Sequence, residues 1–152
     1  MGEVLDIVGK YVTFEEELAH SGKVVYTNVG VSMMPLLRQR RDIIEIRSKA
    51  PNTRCKRYDV VLYKCGDKYI LHRVLKVCPE DYVIAGDHNT FKEYGITDRH
   101  IIGVLTSVVR DGKELDFGSF GYRLYVFLWC GLFPVRAFIL RIKHYAKRMI
   151  GK

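Results

Sequence analysis

Between Lys23 and Val109 the chain divides into six short runs, KVVYTNV, DIIEIRS, DVVLYKC, KYILHRVLKV, DYVIAG and HIIGVLTSVV, each rich in β-branched and aromatic residues. This pattern constrains the fold more than any other feature of the sequence. Side chains branched at Cβ fit a pleated surface and are stiff in a helix, and turn formers such as APN and CGDK separate the runs. LYKCGDKYILH reads as a hairpin with its turn at Gly66 and Asp67. With little helix between the runs, the expected fold is mainly β, an antiparallel coiled sheet or partial barrel over residues 23–117.

Helical periodicity flanks this zone. In residues 1–22, Val4, Ile7, Val8, Tyr11, Phe14 and Leu18 recur at helical spacing, with Thr13 and three glutamates placed to restart the helix and Gly22 to end it. Residues 118–152 form a tail of another character. LYVFLWCGLFPV, residues 124–135, is an apolar run of twelve, short of the roughly 20 residues that cross a bilayer. Beyond it Val135, Phe138, Ile139, Ile142, Ala146 and Met149 share one helical face, and Arg136, Arg141, Lys143, His144, Lys147 and Arg148 share the other. Such a helix either docks on the domain's own core or lies in a membrane interface. Trp129, Tyr122 and Tyr125 beside the apolar run favour the interface. A chain ending near residue 117 is then expected to lose vesicle binding and keep the rest of its competence.

Charge sharpens the division. Residues 1–122 carry 18 Lys and Arg against 17 acids, and residues 123–152 carry the remaining seven bases and no acid, so all but one unit of the net charge of +8 belongs to the tail. A basic patch confined in this way points to an anionic membrane surface, and nucleic acid is not expected as a partner. One domain fits 152 residues that are 48% hydrophobic and 28% charged. Cys55, Cys65, Cys78 and Cys130 form no CxxC pair and no cluster with the histidines, so ordinary thiols are expected, with no metal and no cofactor. No signal peptide is recognisable, and the expected location is the cytoplasm, peripheral at the membrane through the tail.

GVSMMPLL, residues 30–37, places Ser32 straight after a strand-like run. A serine hydroxyl is a weak nucleophile until a base takes its proton, and that base must arrive through folding. His72 is a candidate. Alternation along KYILHRVLKV puts Tyr69, Leu71, Arg73 and Leu75 on one face and Ile70, His72, Val74 and Lys76 on the other. Apolar neighbours resist protonation of His72 and keep it available as a base, although the same position suits a core histidine bonded to a backbone carbonyl.

GVSMMPLL, RRDIIEI, KRYDVVLY, ILHRVLKV, IAGDHN and HIIGVL together resemble, in order and spacing, the sequence boxes of the S24/S26 serine peptidases. The likeness covers residues 28–105 and is greatest to the signal peptidases of the endoplasmic-reticulum type, which use histidine where other branches use lysine. The resemblance implies a fold of the signal peptidase/repressor-protease type. It also implies that Ser32 is the nucleophile and His72 the general base, with Met33 and Pro35 shaping the turn and the substrate floor. Asp87 of GDHN matches an acid that orients the base, a second acid falls on Glu93 or Asp98, and the Ser32 backbone N–H would serve the oxyanion. There are departures. Arg41 and Tyr58 stand where glycines are usual, Val31 where a serine is usual, His88 where an asparagine is usual, and no N-terminal membrane anchor is recognisable.

The implied activity is that of a serine endopeptidase cutting a leader or signal segment bound in extended form along a strand edge. The alternative is a catalytically inactive module of the same fold that binds peptides or docks on membranes. A self-cleaving DNA-binding repressor fits less well, because fewer than thirty residues precede the strand zone and none of them forms a helix-turn-helix pattern.

Overall fold

The structure is a computed structural model that describes residues 3–5 and 11–150, with side-chain surroundings for 12–143 and for 145, 146, 148 and 149. In chain order the elements are β1 (Glu3–Leu5), β2 (Tyr11–Thr13), α1 (Phe14–Ser21), β3 (Lys23–Thr27), β4 (Asp42–Ser48), β5 (Val60–Cys65), β6 (Lys68–Val77), β7 (Tyr82–Ala85), β8 (Glu93–Ile96), β9 (Ile101–Arg110), β10 (Lys113–Glu114), α2 (Phe120–Gly131) and α3 (Phe133–Ile150). The chain is mainly β. One large sheet runs β3-β4-β9-β5-β6-β7-β8 with β10 beside β9, and every pairing is antiparallel.

Each of the six β-rich runs forms a strand, and β8 is an addition that sequence patterning did not mark. The β5–β6 hairpin closes with Cys65 opposite Lys68, and Gly66 takes φ +58°, a backbone region costly for a residue with a Cβ. β5 is buried on both faces. Val60 and Leu62 join Val24, Ile44, Ile46 and Val108 in one apolar cluster, whereas Val61 and Tyr63 join Val74, Tyr82 and Ile84 in another. The period of two along the strand thus feeds two core layers rather than one core and one wet face. Each fully buried aliphatic side chain here contributes about 1.5–3 kcal/mol relative to exposure.

The N-terminal helix is shorter than its spacing suggests. Glu3–Leu5 and Tyr11–Thr13 pair as strands, with Glu3 opposite Thr13, and helix begins only at Phe14. The restart signal at Thr13 decides the boundary: its side chain accepts from Glu16 N at 3.2 Å while the Glu16 carboxylate accepts from Thr13 N at 2.8 Å. Gly22, at φ 75°, ends α1 and donates to Leu18 O at 3.1 Å. Phe14 and Leu18 then plug the first core layer. Residues 6–10, with Ile7 and Val8, lie outside the described residues.

α2 and α3 meet at an angle of 78°, and among the described residues no single helix is long and apolar enough to cross a membrane. Tyr122, Tyr125 and Trp129 of α2, expected at an interface, face inward, whereas Phe120 and Phe127 face outward. Tyr122 accepts from Arg73 Nη1 at 3.2 Å, Tyr125 donates to Asp87 Oδ2 at 2.8 Å, and Trp129 Nε1 donates to Asp87 O at 2.8 Å. α3 packs inward through Phe133, Arg136, Ala137 and Leu140, while Phe138, Ile139, Ile142 and Met149 face outward. Its apolar stripe is therefore not what docks it on the core. Arg136, expected on the solvated basic face, is buried.

Candidate functional site

Ser32 opens a tight turn in the loop between β3 and β4. The loop is closed at its neck, where Arg40 N donates to Asn28 O at 2.6 Å and Asn28 N to Asp42 O at 2.9 Å. Buried Asp42 accepts from Arg38 N and from Arg110 Nε, each at 2.8 Å, and Arg110 Nη2 also reaches Leu36 O at 2.7 Å. Burial alone would raise the pKa of Asp42, but the bonds from Arg110 and Arg38 outweigh it and hold the carboxyl below its ordinary value. Met33, Leu36 and Leu37 drop into the first core layer. The turn is thus anchored from below, leaving Ser32 partly exposed between exposed Val31 and Met34.

His72 lies in the middle of β6, on the face of the second core layer and 5% exposed. Its Nδ1 is 2.7 Å from Glu93 Oε1 and 3.2 Å from the Tyr63 hydroxyl, which donates in turn to Glu93 Oε2. Oε1 receives no well-aligned hydrogen bond, so its contact with the ring is electrostatic and positional. The hairpin register explains Tyr63: Val61 sits opposite His72, and Tyr63, two residues on, is the diagonal neighbour on the same face. Burial lowers the His72 pKa below 6.5, outweighing the upward pull of Glu93 and Asp87. The ring is therefore neutral at neutral pH. With the Nδ1 proton toward Glu93, Nε2 is an acceptor, and the Asn89 side-chain amide lies 3.4 Å from it.

One turn links the serine loop to this histidine. His88 N donates to Ser32 O at 2.7 Å and Asn89 N to Gly86 O at 3.0 Å, so Ser32 and His72 flank residues 86–89 from two sides. Gly86 permits the approach. A Cβ there would stand 2.6 Å from Ser32 O and 2.9 Å from Asn89 Cγ, closer than real contacts allow. Among the described residues the side-chain neighbour of Nε2 is Asn89 and not the Ser32 hydroxyl, and no backbone carbonyl accepts from the Ser32 N–H.

Asp87 belongs to a different constellation. Its carboxylate takes a bidentate pair from Arg73, Nε at 2.9 Å and Nη2 at 2.7 Å, together with the Tyr125 hydroxyl. Burial would depress the Arg73 pKa, but Asp87 more than compensates and holds it well above the ordinary value. The acid read first from GDHN thus braces the turn against α2, and the acid on the imidazole is Glu93. Asp98, the other candidate, accepts from the Tyr82 hydroxyl at 2.6 Å and pairs with Lys49 and Arg54, each at 3.3 Å. Met33, expected on the substrate floor, is 2% exposed and packs into the core, whereas Pro35 lines a cavity of about 320 Å³ with Leu36, Leu115 and Tyr125.

Sequence patterning alone did not mark Tyr63, Asn89 or Arg73 as site residues, and it placed Arg136 on the solvated basic face. Tyr63 was accessible through the hairpin register, and Arg73 through the rule that a charge on a core-facing strand position needs a buried partner. Arg136 stacks over Phe133 at 4.5 Å and Trp129 at 5.6 Å, with Nη2 3.4 Å from Asn89 O and 3.5 Å from Gly86 O. Burial lowers its pKa. All four cysteines are free, and burial pushes the Cys55 and Cys130 thiols up to about 11, away from nucleophilic thiolates. Comparison of the chain with family models, with curated proteins and with solved structures finds no match.

Proposed function

We propose that the chain is a serine endopeptidase of the S24/S26 type, cutting an extended leader or signal segment with Ser32 as nucleophile, His72 as general base and Glu93 as the carboxylate that positions it. The observation that carries the reading is a buried imidazole, held neutral and with an acid on Nδ1, one turn away from the partly exposed serine of GVSM. In this reading the Asn89 amide yields its place at Nε2, and His72 takes the Ser32 proton as Oγ attacks the scissile carbonyl. The imidazolium then protonates the leaving amine, and water releases the acyl group by the reverse steps. The unengaged Ser32 N–H supports a donor role toward the oxyanion.

The substrate path follows from the sheet. Among the described residues β3 pairs with β4 on one side only, which makes it an edge strand of the large sheet, and it leads toward Ser32. Exposed Val25, Val29 and Val31 give that path an apolar lip suited to an extended hydrophobic peptide.

A fluorophosphonate probe tests the assignment. It is expected to label the wild-type protein on Ser32, and labelling is expected to vanish in Ser32→Ala. Because burial depresses the His72 pKa, the labelling rate should stay high down to pH 6.5 and fall at lower pH, where the imidazole takes a proton. Glu93→Gln removes a charge that raises that pKa, so this acid limb should move to lower pH while the plateau drops. Folded wild-type protein that resists the probe throughout would overturn the reading in favour of a non-catalytic module. Gly86→Ala should push the Ser32 carbonyl aside, and a displacement near 1 Å is expected to cost about 100-fold in labelling rate with the fold intact by circular dichroism.

A further inference from the structure

We propose that the outward faces of α2 and α3 form a docking surface for an anionic lipid bilayer. Both helices are two-sided. Inward, Tyr122, Tyr125 and Trp129 of α2 and Arg136 of α3 bond the sheet and the turn at residues 86–89. Outward, Phe120 is 80% exposed, Phe127 66%, Phe138 64% and Met149 63%. Spacings of three, four and seven residues put Phe120, Leu124, Phe127 and Leu128 on one side of α2. The same spacing puts Phe138, Ile142, Tyr145 and Met149 on one side of α3, opposite the buried Phe133, Ala137 and Leu140.

The charges select the occupant. Exposed Arg141 and Arg148 border the α3 stripe on one flank and Lys143 on the other, and no acid occurs anywhere in residues 123–152. A second copy of this surface would bring like charges together. An anionic headgroup layer instead accepts the bases while the aromatic and aliphatic side chains enter the acyl boundary. α2 and α3 reach the length and apolarity of a membrane-crossing segment only together, as a pair bent by 78°, and the inward bonds of Tyr125, Trp129 and Arg136 hold one side of that pair on the protein. The aromatic contribution comes from Phe127 and Phe138, not from Trp129 and the α2 tyrosines.

Vesicle flotation with the full chain tests this without reference to catalysis. Binding to mixed phosphatidylcholine and phosphatidylglycerol vesicles is expected to exceed binding to phosphatidylcholine alone by about tenfold or more, and to weaken as salt rises. Phe127→Glu with Phe138→Glu, and separately Arg141→Glu with Arg148→Glu, should each lower that binding by about tenfold or more. These side chains are exposed, so both variants should fold, which circular dichroism checks, and their probe labelling at Ser32 should match wild type. Equal or absent binding to the two vesicle types, or retained binding in both variants, would overturn the proposal. So would a wild-type dimer that Phe138→Glu dissolves while vesicle binding stays unchanged.

Discussion

Ser32→Ala and His72→Ala are each expected to lower peptide cleavage by about a thousandfold or more, and the double variant should be no worse than the more damaged single one. The non-additivity follows from the chemistry. Without a base the Ser32 hydroxyl keeps its proton, and without the hydroxyl the base has nothing to deprotonate. Ser32 is partly exposed and its hydroxyl makes no hydrogen bond among the described residues, so Ser32→Ala should melt like wild type. His72→Ala would open a hole beside Glu93 and Tyr63, and His72→Gln is the companion variant that fills the space without supplying a base. Mass spectrometry of a pool of apolar, leader-like synthetic peptides is the measurement. Undiminished cleavage by folded Ser32→Ala would remove the nucleophile, and with it the proposal.

How much of this was legible in the sequence depends on the physical signal behind each feature. The strands were, because a period of two with β-branched residues and glycine turns leaves few other foldings, and the Gly66–Asp67 turn sets the β5–β6 register. The N-terminal spacing was ambiguous. Val4, Tyr11 and Phe14 fit a helical stripe, yet Tyr11–Thr13 are equally strand formers, and the capping bonds of Thr13 settle where helix begins. In α3 the apolar stripe was legible but its direction was not. The inward side consists of Phe133, Ala137, Leu140 and a buried arginine, a weaker stripe that wins because the 86–89 turn offers it carbonyls and ring faces. Tyr125 and Trp129 were misdirected for a similar reason. Each has a polar atom that finds a buried partner at Asp87, and this made the tail part of the site's support rather than a removable appendage. Losing residues beyond 117 is thus expected to disturb the turn as well as any vesicle binding.

The choice of acid shows most clearly where motif spacing stops being informative. Asp87 and Glu93 lie six residues apart, and no one-dimensional pattern states which carboxylate Arg73 captures. Arg73 is 0% exposed and Asp87 1%, and the guanidinium also donates to Tyr58 O at 3.0 Å and to the Tyr122 hydroxyl. A buried pair of this kind adds little net stability against an apolar pair of equal shape, but removing one partner strands a charge in the interior. Arg73→Met and Asp87→Asn are each expected to cost about 3–5 kcal/mol, roughly a 10 °C fall in Tm for a chain of this size. The double variant should lose clearly less than the sum of the two, which a double-mutant cycle by denaturant titration reads directly. The same variants separate the two carboxylates by role. Asp87→Asn should act mainly on stability, with a smaller displacement of the acid limb than Glu93→Gln, because Glu93 is the stronger of the two charges acting on His72. If instead Asp87→Asn kept its stability and lost cleavage, while Glu93→Gln left the limb in place, Asp87 would be the acid that serves the imidazole and the arrangement around Arg73 would have to rearrange before catalysis.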